Sequence, residues 1–233
     1  MMLIRLVASL AMCLAAPAGP VQPKGAQVVL LIASDEEDGT KTFKDGSKLA
    51  QAVTRWGDVH HSTRHKKLGR SAICFDGRGD YLSVKDGPAF AFGVDDFAIE
   101  FWCLPEGAGR RFLCGQAPAN GADAQGSVGI AIEADGRIRA AARTARQTLL
   151  LYAPPAAYAD GKWHHVSFRR SGDVLHLLVD AIEHDRVWIG PRSVNDSVEP
   201  FSIGLSGRFA SGYYCGYIDR FVVTKMPRKD TEF

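Results

Sequence analysis

Several groupings in this chain have residue types that could recognise or transform a ligand. Arg78-Gly79-Asp80, inside SAICFDGRGDYLSV, is the tripeptide that adhesion ligands present to integrins. His60, His61 and His65 stand with Arg64, Lys66 and Lys67 in HHSTRHKK, and His164 and His165 adjoin in WHHVSF. Imidazoles can ligate a metal and clustered cations can hold a polyanion. The first run nevertheless reads as a solvated loop and the second as strand packing. Trp56, Tyr158, Trp188, Tyr213 and Tyr214 fall in or beside stretches of loop composition. A sugar has an apolar face and a rim of hydroxyls, so an exposed ring beside hydrogen-bonding groups is the surface that would take one.

Groupings for catalysis are missing. Glycoside hydrolysis needs two carboxylates flanking the scissile bond. Glu100 in AIEFW and Glu133 in AIEADG each lack a second acid at strand spacing, and no G-x-S-x-G elbow is present. No enzymatic activity is expected.

These side chains must be positioned by strands. Apolar runs with period-two alternation recur as VVLLIA, SAICF, YLSV, FAIEFWCL, SVGIAIEA, RIRAAAR, HHVSFRR, VLHLLVD, PFSIGL and YIDRFVV. Turn formers separate them, among them Asp76-Gly77, Asp86-Gly87, Asp135-Gly136, Asp160-Gly161 and Ser171-Gly172. The pattern predicts one all-β domain over residues 28–225, a two-sheet antiparallel sandwich. Alternation puts Phe97, Ile99 and Phe101 on the inner face against Glu100 and Trp102, and Leu175, Leu177 and Val179 against His176 and Asp180.

The N-terminus has the layout of a cleaved secretory signal over residues 1–18: Arg5, an apolar run too short to span a bilayer, and Ala16-Pro17-Ala18. Residues 19–27 read as a linker and 226–233 as a polar tail. The expected location is therefore secreted, extracellular or in the periplasm or cell envelope, with no membrane span. Without Arg5, the 28 basic residues become 27 against 26 acidic ones, a balance that predicts no nucleic-acid partner. Cys74, Cys103, Cys114 and Cys215 remain, an even number that suggests two disulfides with three possible pairings.

In order, LLIASDEEDGTKTFKDGS, KLGRSAICFDGRGDYLSV, AFGVDDFAIEFWCLP, GIAIEADGRI, DGKWHHVSFRRSGDVLHLLVD, FSIGLSG and GYIDRFVV resemble the concanavalin A-like, laminin G-like jelly-roll domains of bacterial secreted proteins. The resemblance implies an F-D-G-x-G-D-Y hairpin in which Gly77 and Gly79 serve the turn, Asp80 closes it and Arg78 is a free position. It implies neighbouring first and last strands, with Asp35 and Asp219 as candidate calcium ligands, and the pairings Cys74–Cys215 and Cys103–Cys114. It also places Ala181 at a turn position where relatives carry glycine. The function it implies is a non-catalytic, lectin-like module for glycans or a glycosylated surface. A structural or adhesion domain without a sugar site is the alternative, and a glycoside hydrolase a more distant one.

Overall fold

The computed structural model describes residues 25–117, 126–154, 158, 160–205 and 212–227. Its fifteen strands are β1 (Gln27–Ile32), β2 (Val53–Trp56), β3 (His60–Ser62), β4 (Ala72–Asp76), β5 (Tyr81–Val84), β6 (Asp96–Pro105), β7 (Arg111–Gly115), β8 (Val128–Ile132), β9 (Ile138–Arg143), β10 (Thr148–Tyr152), β11 (His164–Ser171), β12 (Val174–Val179), β13 (Ile182–Trp188), β14 (Phe201–Ile203) and β15 (Cys215–Met226). One sheet runs β13-β12-β11-β6-β15-β4-β3, with β1 also paired to β15; the other runs β10-β9-β8-β7-β14-β5-β2. All pairings are antiparallel, as in a jelly-roll sandwich. Among the described residues no helix is long and apolar enough to cross a membrane.

The alternation read from sequence is the physical cause of this arrangement. Phe97, Ile99 and Phe101 of β6 and Leu175, Leu177 and Val179 of β12 are buried between the sheets, each with at most 3% of its surface exposed. Burying such a side chain stabilises the fold by about 1.5–3 kcal/mol. Ring stacking adds to this where Phe101 meets Phe221 and Phe90 meets Phe201, with centroids 5.2 and 4.8 Å apart. First and last strands lie side by side as expected, Gln27 opposite Lys225 and Ile32 opposite Phe221. The sheet thus begins one residue inside the expected linker. The signal segment, residues 19–24 of the linker and residues 228–233 of the tail lie outside the described residues.

Two expectations change. The HHSTRHKK run is not wholly a solvated loop, because His60–Ser62 forms β3 and His61 is buried. Its ring stacks on Phe43, and its Nδ1 and Nε2 lie 2.8 and 2.9 Å from Ser34 Oγ and the Thr42 carbonyl. The carbonyl can only accept, so Nε2 carries the proton and Nδ1 accepts from the serine hydroxyl. Burial lowers the pKa of this ring, keeping it neutral.

Neither expected disulfide is formed, and all four cysteines are thiols. Cys74 lies opposite Tyr217 while Cys215 lies opposite Asp76, so these two cysteines are out of register by two residues. Cys103 and Cys114 are buried in the core from strands of different sheets, since β6 and β7 are not hairpin partners. Burial raises all four thiol pKa values, that of Cys74 to about 11.

The tripeptide is resolved as a turn. Asp80 is 1% exposed; its Oδ2 accepts from the Asp76 amide at 2.9 Å and its Oδ1 from the Asp58 amide, which ties β4 to the β2–β3 connection. Gly77 and Gly79 have φ of 80° and 87°, a region closed to most side chains. Arg78 alone faces solvent. A buried aspartate cannot reach an integrin, so the adhesion reading of this motif is not supported.

Two outcomes follow from these turns. Asp80→Ala, which removes the buried carboxylate that accepts from the Asp76 and Asp58 amides, should cost about 2 kcal/mol in denaturant melts, whereas Arg78→Ala should be neutral. At the β12–β13 turn Ala181 has φ of 65°, the strained position the resemblance implied. Ala181→Gly should therefore stabilise by about 0.5–1 kcal/mol, and a lower Tm would contradict the turn geometry.

Candidate functional site

The expected site residues separate into three places. Tyr214 and Tyr158 are buried, 0% and 5% exposed; Tyr214 packs edge-on against Phe75 and donates from its hydroxyl to the Tyr217 carbonyl at 3.2 Å. Neither can meet a ligand. Trp188 is 59% exposed at the end of β13. It lines a cleft of about 670 Å³ with Thr144, Arg146, Arg192 and Asp196, and the Arg192 guanidinium lies 5.1 Å from its ring. This is the edge strand of the eight-stranded sheet.

Trp56 and Tyr213 belong together on the seven-stranded sheet, at the opposite edge. Trp56, on edge strand β2, pairs in register with Tyr81 of β5. Leu82 and Val84 of β5 are buried in the core, so parity turns Tyr81 and Ser83 outward. The Trp56 and Tyr81 rings stack 5.5 Å apart at an interplanar angle of 7°. Trp56 Nε1 donates to Ser83 Oγ at 2.9 Å, which fixes the indole against rotation. Tyr81 in turn faces Tyr213, with ring centroids 6.4 Å apart and 30° between planes. The result is a row of three rings whose outer member is 48% exposed. Sequence reading missed Tyr81, whose place in the row depends on the β2–β5 register.

Beyond this row the strip of small residues on the same side of the sheet is buried: Ser202 is 5% exposed and Ala141 0%, with Gly115 and Gly129 buried between them. Ser83, Ser202, Gly115, Gly129 and Ala141 are successive cross-strand neighbours. Phe112 donates its amide to the Gly212 carbonyl at 2.8 Å, placing Tyr213 beside β7. The Arg110 guanidinium lies 5.0 Å from the Phe112 ring. The Trp56, Tyr81 and Tyr213 rings and the Ser83 hydroxyl thus share one end of the sheet, bringing together the apolar faces and the hydroxyl that ring-shaped polyols require.

The carboxylates are committed elsewhere. Glu133 is engaged by Arg139 and Arg110, and Asp135, which lines the same cleft, is paired with Arg137. Asp35 and Asp219 do come near each other, but as loop anchors. Asp219 Oδ2 accepts from the amides of Lys67 and Leu68 at 2.9 and 2.8 Å, and Asp35 Oδ1 from Arg70 at 2.9 Å. Among the described residues no three metal-ligating side chains converge.

A family model described as the concanavalin A-like lectin/glucanases superfamily, of the laminin G type, matches residues 76–232. The chain belongs to this superfamily. No curated protein matches it. Among solved structures, this concanavalin A-like chain is similar to the binding domain of Paraclostridial Mosquitocidal Protein 1, with 13% identity and a TM-score of 0.62 over 88% of this chain and 50% of that one. It is also similar to botulinum neurotoxin type C, whose cell entry depends on two ganglioside molecules, at 10% identity and TM-score 0.62 over 87% and 49%. A third is domain 4 of AbnA, an extracellular arabinanase from Geobacillus stearothermophilus solved with arabinotriose, at 15% identity and TM-score 0.60 over 87% and 94%. The chain spans about half the length of the toxin structures and nearly all of the arabinanase domain. At these identities the likeness establishes the concanavalin A-like fold. These neighbours are binding domains.

One titration is built into β15 itself. Asp219 is fully buried, and its Oδ1 has no hydrogen-bond partner among the described residues. Burial pushes its pKa up to about 6, against the pull of the two loop amides. The folded state then holds this proton more tightly than the unfolded chain, so stability falls as pH rises from about 4 through 6 and levels off above. Asp219→Asn keeps an acceptor for the loop without the buried charge. It should raise Tm at pH 7.5, by up to about 3 kcal/mol in stability, and converge with the native protein near pH 4. Destabilisation at pH 7.5 but not at pH 4 would show that the charge is required, and equal destabilisation at both would show that the shape of the carboxyl, not its charge, holds the loop.

Proposed function

We propose that this domain is a non-catalytic carbohydrate-binding module, acting outside the cytoplasm, whose ligand lies against the Trp56–Tyr81–Tyr213 row at the β2 edge of the seven-stranded sheet. The observation that carries this reading is the exposed Trp56 ring, stacked on Tyr81 and fixed by its bond to Ser83. An indole held in one orientation meets a sugar face without losing rotamer freedom on binding. The arabinotriose complex of a domain with the same fold supports the reading by analogy of fold alone. The signal-like N-terminus and the absence of paired carboxylates agree with an exported binder, and the near-neutral charge with uncharged or mixed ligands.

A glycan array of plant, bacterial and animal oligosaccharides, followed by calorimetry on the best ligand, tests this. Trp56→Ala should weaken binding by 10- to 100-fold and leave Tm nearly unchanged. Tyr213→Ala should weaken it less, while Trp188→Ala and Arg78→Ala should have no effect. Silence of the native protein across the array, or full affinity in Trp56→Ala, would overturn the assignment of this face and favour a protein-binding role.

A further inference from the structure

The rings of the aromatic row are not laid side by side on the sheet; they form a column. Trp56 and Tyr81 are stacked and parallel to within 7°, so each covers a face of the other. On its other side Tyr81 faces Tyr213, with centroids 6.4 Å apart and planes 30° from parallel. Tyr213 follows Gly212, whose carbonyl accepts from Phe112 of β7, whereas Trp56 belongs to β2, the last strand of the sheet. The column therefore runs across the strands and ends at the sheet edge.

Only its end is open to a ligand. Tyr81 and Tyr213 are half-buried, and Tyr81 lies between two rings. Trp56 is 48% exposed with one face against Tyr81, and among the described residues no second ring or cation covers the other. That face looks past β2, where the sheet stops. An indole face matches one sugar ring in breadth. Coplanar aromatic faces spread along a surface would take successive rings of a chain, but the end of a column takes one.

Polar groups of the same extent adjoin this face. Thr54 is exposed, lies on the same side of β2 as Trp56 and stands opposite Ser83 in the ladder. Because Trp56 Nε1 donates to Ser83 Oγ, the indole leans along the strand toward the level of Thr54. β2 is four residues long with no outer neighbour, so alternate residues turn their N–H and C=O groups away from β5 along the same edge.

We propose that the domain recognises the end of a glycan chain: one terminal sugar ring stacks on the open face of Trp56, and its rim hydroxyls meet Thr54 and the outward backbone groups of β2. This rests on the carbohydrate-binding reading above and adds the class of glycan, since chain ends are bound and chain interiors are not.

The test is calorimetry on the full chain with arabino-, xylo-, cello-, galacto- and manno-oligosaccharides of one to six units. In a series that binds, affinity should change by less than about 3-fold from disaccharide to hexasaccharide, because later units find no further ring to cover. A platform for successive rings would instead gain about 10-fold or more over that range. On the corresponding insoluble polysaccharide, the protein bound per gram should rise in proportion to the chain ends made by limited endo-hydrolysis. Thr54→Val keeps the shape of the side chain and removes its hydroxyl; it should weaken binding about 3- to 10-fold with Tm unchanged. Affinity that climbs with every added unit, or a capacity unaffected by cutting the polymer, would overturn chain-end recognition and leave the sugar reading standing. Full affinity in Thr54→Val would overturn the placement of the ring on the β2 edge. Binding of no sugar in any series would overturn this proposal and, with a silent array, the reading on which it rests.

Discussion

Twelve residues of one strand, Cys215–Met226, hold the sandwich in register. β15 hydrogen-bonds to β6 along one side and to β4 and then β1 along the other, so it is the seam at which the chain's two ends close. A bulge interrupts this seam: against β6 the register jumps from Asp219 to Val222, and Arg220 adopts a φ of 48°. The bulge lets a strand of this length serve two neighbours in succession on one side. It also sets Asp219 under the Lys67–Leu68 loop, which is where an ionisable group ended up without a full set of partners. The residues leading into the strand, Gly212 and Tyr213, lie against β7 and Tyr81. The proposed binding face is thus attached to the same element that organises the core.

A second constraint is parity. Adjacent residues near a strand point to opposite sides, which is why Tyr213 joins a row of rings at the surface and Tyr214 fills the core against Phe75. The same rule separates Tyr81 and Ser83 from Leu82 and Val84. Recognition and packing therefore draw on alternating letters of the same short segments, and a one-residue slip would exchange them. At the other edge a single buried guanidinium enforces order: Arg170 donates to the carbonyls of Gly172, Gly93, Arg192 and Gly190, and so fixes the loop that carries the Trp188 cleft.

What could be read from the chain follows from how local each cause is. The inner faces of FAIEFW and VLHLLVD were legible because a period of two is a property of six consecutive residues. The positive φ at Ala181 and the role of Asp80 were legible because turn chemistry is local. Trp56 and Tyr213 could be picked out as exposed aromatics, but not chosen over Tyr214, Tyr158 or Trp188, because that choice depends on which strands become neighbours. Tyr81 looked like an ordinary strand residue until β2 paired with β5. His61 was misread because the groups that bury it, Ser34, Thr42 and Phe43, come from segments 18 to 27 residues away. The cysteine pairings were reasoned from strand neighbours, and the ladder places Cys74 against a tyrosine instead.

The pairing of β1 with β15 joins residues about 200 positions apart in the chain. During synthesis the ribosome releases residue 27 long before residue 225, and no earlier strand offers β1 the hydrogen-bonding edge it ends up on. The eight-stranded sheet cannot close until its last strand has emerged, so every nascent intermediate has an unpartnered strand and an open apolar face. Loss of the final residues of β15 would strip Gln27 and Val28 of their partners while Leu30, Leu31 and Ile32 stay paired, so the seam would fray from its outer end before it opened.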